Sequence, residues 1–143
     1  MDEIIIKCSN STIDAQELKR LIQNKANINS IDSGKKTPLH LVCINKLDFQ
    51  LVKIMIENKA DLNMRDKELN IPFHYACLNS KITLEIVEIL IKNKSNINLS
   101  GGYGYSPLQI ICFNKNPNVN NSFSLKFVFL IQKKKRSRLS IFF

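Results

Sequence analysis

The stretch Thr37-Pro38-Leu39-His40-Leu41-Val42-Cys43 decides the fold, because it recurs twice in register. Ile71-Pro72-Phe73-His74-Tyr75-Ala76-Cys77 and Ser106-Pro107-Leu108-Gln109-Ile110-Ile111-Cys112 lie over it without a gap. Thr or Ser ahead of such a run is a good N-cap, since its oxygen accepts from backbone N–H groups that lack a helical partner. Pro at the first helical position loses nothing, because its missing N–H would be unpaired there anyway. Each run closes at an Asn (Asn45, Asn79, Asn114), a residue type that tolerates the left-handed conformation found after helices. The sequence therefore predicts three short helices with the same start and the same stop.

The cysteines extend this ruler to the whole chain. Cys8, Cys43, Cys77 and Cys112 are spaced 35, 34 and 35 residues apart, and each is followed two residues later by Asn. A fixed period in this range implies stacked units, each covering the apolar face of its neighbour. Such arrays are binding surfaces far more often than catalysts. Equivalent positions in a stack lie about 10 Å apart, whereas a disulfide needs Cα atoms within roughly 7 Å. No CxxC pair is present to hold zinc. The cysteines are accordingly expected to be small buried packing residues.

A second apolar pattern follows each first helix, at Leu18–Ile22, Leu51–Ile56 and Ile86–Ile91. The last two are apolar on most sides, as helices between neighbours must be. The first has Arg20 where Ile54 and Ile89 stand, which fits a terminal unit with one face in water. A shared exit phrase comes next, at Lys25-Ala26-Asn27-Ile28-Asn29, Lys59-Ala60-Asp61-Leu62-Asn63 and Lys94-Ser95-Asn96-Ile97-Asn98. Turn-rich stretches then lead into the following unit.

These residues resemble ankyrin repeats, helix–turn–helix units of about 33 residues whose first helix opens Thr-Pro-Leu-His. Thr37-Pro38-Leu39-His40 matches that opening outright, and the other two copies match in part. The resemblance covers about residues 1–132 and implies an all-α ankyrin-repeat solenoid with short hairpin-like loops. Its expected divisions are an N-cap unit at 1–31, repeats at 32–65, 66–99 and 100–132, and a tail at 133–143. Family members usually carry Gly after the second helix, where this chain has Lys25, Lys59 and Lys94, and after the first, where it has Lys46 and Lys81. Leu69 also stands where Gly is usual. A non-Gly residue in a left-handed turn costs on the order of 1 kcal/mol, so the array is expected to be less stable than consensus repeats. The last unit has an Asn-rich insertion, Lys115 to Phe123, expected to project as a loop.

The resemblance further implies a partner-binding concave face built from the loop tips and the first helices. By register, the tips carry Ser33, Lys35, Lys67, Glu68, Asn70, Tyr103 and Tyr105. The inner helix ends carry Ile44, Leu78 and Phe113 beside Asn45, Asn79 and Asn114. Tyr103 and Tyr105, set among Gly101, Gly102 and Gly104, stand out, because Tyr buries much area at an interface with little rotamer entropy. His40 and His74 are expected to hydrogen-bond the neighbouring turn, and Asp32, Asp61 and Asp66 to cap turns. No phosphate loop, metal box or nucleophile motif appears, so neither enzymatic activity nor a cofactor is expected.

The net charge is +9, and five of the basic residues are Lys133, Lys134, Lys135, Arg136 and Arg138. Runs of this kind serve nuclear import or contact nucleic acid or anionic lipid, though many are simply solvated. The longest clearly apolar run, Phe127–Ile131, is far short of the roughly 20 residues that span a bilayer. The acidic opening Met1-Asp2-Glu3 is unlike a signal peptide. A monomeric cytoplasmic protein is expected, with the nucleus open to it through the tail. Its expected function is non-catalytic protein binding through the concave face. The alternative is an adaptor for nucleic acid or anionic surfaces through the basic tail.

Overall fold

The structure is a computed structural model and describes residues 1–113. Asn114, the insertion at 115–123, the apolar run at 127–131 and the basic tail lie outside the described residues. Seven helices are present within them: α1 (Glu3–Ser9), α2 (Ala15–Gln23), α3 (Pro38–Asn45), α4 (Phe49–Glu57), α5 (Pro72–Leu78), α6 (Leu84–Lys92) and α7 (Pro107–Phe113). The described residues form no strand, so this part of the chain is an all-α repeat solenoid.

Local chemistry starts the helices. Thr37 Oγ1 accepts the His40 N–H at 3.4 Å, and Ser106 Oγ accepts that of Gln109 at 3.4 Å. The outer helices have their own caps, with Asp14 accepting from Glu17 at 2.8 Å and Asp48 from Leu51 at 3.0 Å. α1, α3, α5 and α7 pack in sequence as an inner row, and α2, α4 and α6 as an outer row. Between the rows lie Cys8, Val42, Cys43, Met55, Ala76, Cys77, Val87 and Leu90, all fully buried. Burial pushes the Cys8 and Cys43 thiols up to about 12, and Cys77 well above its usual value. Cys112 departs from the expected buried role: it is exposed, on the last described helix, whose main packing partner is α5.

At the other end the first unit presents charge. Arg20 pairs with Glu17 at 2.7 Å and Glu3 at 2.9 Å, and Lys7 pairs with Glu17 at 3.3 Å. An exposed guanidinium thus replaces the apolar contact that Ile54 makes one unit later.

Two expectations about the turns divide. Lys25, Lys59 and Lys94 adopt φ values of 61°, 67° and 70°, and Leu69 adopts 63°, so the strained left-handed positions are real. Lys46 does not join them, having φ −143°, and Asn79 is extended at φ −79° and ψ 128°. Asn45 and Asn79 therefore do not serve as left-handed caps. Asn79 Nδ2 donates to the carbonyls of Cys43 at 2.9 Å and Ile44 at 3.2 Å, and Asn45 Nδ2 reaches those of Ser9 and Cys8 at 3.3 and 3.4 Å. Each Asn satisfies the free C-terminal carbonyls of the previous inner helix. A second such ladder runs along the exit phrases. Asn29 donates to the Lys59 carbonyl at 3.0 Å and accepts from Asp61 N–H at 2.8 Å, and Asn63 repeats this with Lys94 and Asn96.

Candidate functional site

The tips are built by backbone chemistry. In the first, Asp32 N–H donates to the Lys36 carbonyl at 3.0 Å, and Asp32 Oδ1 accepts from Gly34 and Lys36, both at 2.8 Å. The second repeats this with Asp66, Glu68 and Asn70. Asp32 and Asp66 are thus turn carboxylates, as expected. The third tip has Gly101 at the Asp position, and Asn70 Oδ1 reaches across from the second tip to accept the Gly102 N–H at 3.1 Å. A Cβ on Gly101 would collide with that Asn70 oxygen, and one on Gly102 with the Glu68 carbonyl. The two glycines are therefore what allow the second and third tips to close on each other.

Asn70 was expected on an exposed tip and is instead buried, at 5 % exposure, with its amide committed to this contact. Its Nδ2 also donates to Tyr75 Oη at 3.3 Å. Tyr75 completes a clamp that residue-by-residue reading of the tips overlooks. Its hydroxyl donates to Asp66 Oδ2 at 2.6 Å, while Lys36 Nζ pairs with Asp66 at 3.1 Å and Glu68 at 3.3 Å. The Lys36 ammonium also lies 5.5 Å from the centre of the Tyr75 ring. Burial, then the hydrogen bond to Asp66, pushes the Tyr75 hydroxyl up to about 12. Burial alone would raise Asp66; the Tyr75 hydroxyl, the Asn70 N–H and Lys36 together hold it below the usual carboxylate range. The period itself held the signal for Tyr75, since it occupies the inner-helix position of Leu41 and Ile110.

His40 and His74 bridge units as anticipated. His40 Nδ1 accepts the Thr37 N–H at 3.1 Å, which assigns the proton to Nε2, and Nε2–H donates to the Asn70 carbonyl at 3.0 Å. His74 does the same with Ile71 N–H at 3.1 Å and the Leu99 carbonyl at 2.9 Å. Burial pushes both imidazoles below their ordinary value. Each is fully used in holding tips to helices. Gln109 Oε1 takes the same acceptor role for Ser106 N–H at 2.9 Å.

The remaining expected residues sort by exposure. Ile44, Leu78 and Phe113 are exposed at 36 %, 56 % and 69 %, so the apolar row opens progressively along the array. Tyr103 projects at 81 % exposure, while the Tyr105 ring meets Phe113 edge-on at 6.0 Å. Leu78, Tyr105, Ile110 and Phe113 line a hollow of about 370 Å³. A second hollow of about 370 Å³ lies between tips, lined by Lys67, Glu68, Leu69, Gly102 and Tyr103. Ser33, Lys35, Lys67 and Glu68 are exposed, Glu68 pairing with Lys36 at 3.3 Å. The Asn45 and Asn79 amides are occupied within the array, as described above. No group of three or more His, Cys, Asp or Glu side chains among the described residues is placed to hold a metal ion. No described helix is long and apolar enough to cross a membrane.

A family model described as ankyrin repeats (3 copies) matches residues 4–100 and again 45–130. The chain belongs to the ankyrin repeat family. Ankyrin repeats are generally protein–protein interaction modules and are typically non-catalytic. No curated protein matches the chain.

Proposed function

We propose that this chain binds a protein partner through the concave face of its array, formed by the tips and by α3, α5 and α7. The observation that carries this reading is the exposed apolar row Ile44, Leu78 and Phe113, joined by Tyr105 around the hollow on α5 and α7. Isolated exposed apolar residues need no explanation, but a contiguous row with aromatic members is characteristic of a contact surface. The array would divide at 1–31, 32–65, 66–99 and 100–132, with Ser33, Lys35, Lys67 and Tyr103 contacting the partner from the tips. The test compares the full chain with Leu78→Ala/Phe113→Ala and Tyr103→Ala/Tyr105→Ala variants in quantitative partner capture. Capture that falls in both while the thermal melts stay unchanged supports the reading; capture unaffected by either pair refutes it.

A second reading rests on the basic run Lys133–Arg138, which would contact nucleic acid or an anionic surface. Such binding should weaken steeply with salt and disappear when 133–143 is deleted, whereas partner binding through the tyrosines should survive. Both readings place the protein in the cytoplasm, with nuclear import through the tail as the variant, a setting in which free cysteines are the normal state.

A further inference from the structure

The three tips turn at equivalent residues, Lys35, Leu69 and Gly104. Each donates its N–H three residues back, to the carbonyls of Asp32, Asp66 and Gly101, all at 3.0 Å. Each is left-handed, with φ 59°, 63° and 78°. Glycine takes this conformation without strain, and the exposed Lys35 side chain is a solvated one. Leucine has neither explanation. A bulky L-residue is strained in this region, and the same turn forms with Gly or Lys in its place. The Leu69 side chain is also 52 % exposed and is not among the apolar residues packed on the core. Neither the turn nor the core therefore calls for it. Strained residues of this kind gather where a side chain is used on a ligand. Leu69 lines the hollow of about 370 Å³ between the second and third tips, together with Tyr103, Lys67, Glu68 and Gly102.

Resting on the concave-face reading, we propose that Leu69 is a partner-contact residue. With Tyr103 it grips an uncharged aliphatic or aromatic side chain of the partner protein in the hollow between these tips. The lining sets that chemistry. Lys67 and Glu68 bring one charge of each sign, so the hollow has no net charge to match an ionic group. Gly102 adds only backbone, since a Cβ there would collide with the Glu68 carbonyl. The apolar surface on offer is that of Leu69 and of Tyr103, which is 81 % exposed. Burying both against one partner side chain supplies affinity that the free array leaves unused.

The probe is a phage-displayed library of short random peptides, panned on the full-length protein, with selected peptides then measured by fluorescence polarisation. Two substitutions keep the turn, because the other tips carry their residue types at this position: Leu69→Gly, as at Gly104, and Leu69→Lys, as at Lys35. Both should melt within a few degrees of the parent and lose roughly tenfold in affinity, the size of a hot-spot loss. Leu69→Met, which keeps a large apolar side chain, should retain binding. Changing the peptide's apolar anchor to Ala should weaken binding to the parent but not to Leu69→Gly, since both changes remove one contact. Affinity indifferent to Leu69→Gly overturns the proposal. So does a Leu69→Gly variant that melts far below the parent, which assigns the side chain a packing role. Peptides weakened by Leu78→Ala/Phe113→Ala but not by Leu69→Gly leave the concave-face reading standing and refute the tip contact. Loss in Leu69→Gly alone upholds the tip contact and refutes the helix row. Peptides indifferent to both, or a pool with no enrichment, overturn both.

Discussion

Glycine placed at Lys25, Lys59 and Lys94 should stabilise this protein, whereas glycine at Lys46 or Lys81 should weaken it. The first three adopt φ 61°, 67° and 70°, one after each outer helix. An L-residue in that region costs on the order of 1–2 kcal/mol, from the close approach of Cβ to the following carbonyl. Glycine removes this strain but gives about 0.5–1 kcal/mol back through the greater freedom of the unfolded chain. The net gain is about 0.5–1 kcal/mol per site, so about 1.5–3 kcal/mol for three sites in separate units, which should add. The three side chains are exposed and make no ion pair among the described residues, so little else is lost. At about 2.1 cal/mol/K of unfolding entropy per residue over residues 1–113, that gain raises the melting temperature by roughly 6–12 °C. Lys46 has φ −143°, and Lys81 is not among the positive-φ residues. Glycine at either should cost about 0.5–1 kcal/mol. Lys46 would also lose its 2.7 Å bond from Nζ to the Ile13 carbonyl. Circular dichroism melts of the triple variant and both single variants at one pH decide the matter. A triple variant melting at or below the parent, or a Lys81→Gly variant melting above it, refutes the reasoning.

Three further outcomes follow from buried groups. His40 and His74 have folded values below their unfolded value of 6.5, so the unfolded chain takes up protons first. Stability is therefore complete above about pH 6.5 and falls below it by up to about 2.7 kcal/mol per pH unit for the two together. Urea melts from neutral to acid pH should show this slope, and His74→Gln should halve it, as Gln109 already fills the same role in the last unit. Ser95 is buried with no partner for its hydroxyl among the described residues, at the position held by Ala26 and Ala60. Ser95→Ala should stabilise by about 1 kcal/mol in the same melts, since a buried hydroxyl without a hydrogen bond is costly. Finally, a chromogenic disulfide reagent should titrate one thiol quickly in the native protein and all four in denaturant. Cys112 is exposed, while Cys8, Cys43 and Cys77 are buried with raised pKa values. More than one fast native thiol would contradict the packing.

The repeat ruler was legible because its signals are local. Thr37-Pro38 and Ser106-Pro107 specify helix starts through a cap and a fixed φ, and periodic apolar positions specify which faces are covered. The roles of polar residues were less legible, because they depend on the register between units. Asn45 and Asn79 look like chain-reversing caps in isolation. In the stack their amides lie against the open carbonyls of the preceding helix, 35 to 37 residues back. Asn70 looks like a tip residue until Gly101 and Gly102 let the third tip approach it closely.

Local sequence signals suffice to make this chain a stacked helical array of the ankyrin type. Caps, prolines and a 34- to 35-residue period need only neighbouring residues to act. The tertiary structure alone decided which side chains the array consumes and which it leaves outward. Asp66, Asn70 and Tyr75 are drawn into one clamp with Lys36, whereas Lys35, Lys67, Glu68, Leu78, Tyr103 and Phe113 remain exposed. That division is physical: a hydrogen bond or ion pair between units forms only where stacking brings its two ends within about 3 Å. No pattern along one chain states that distance.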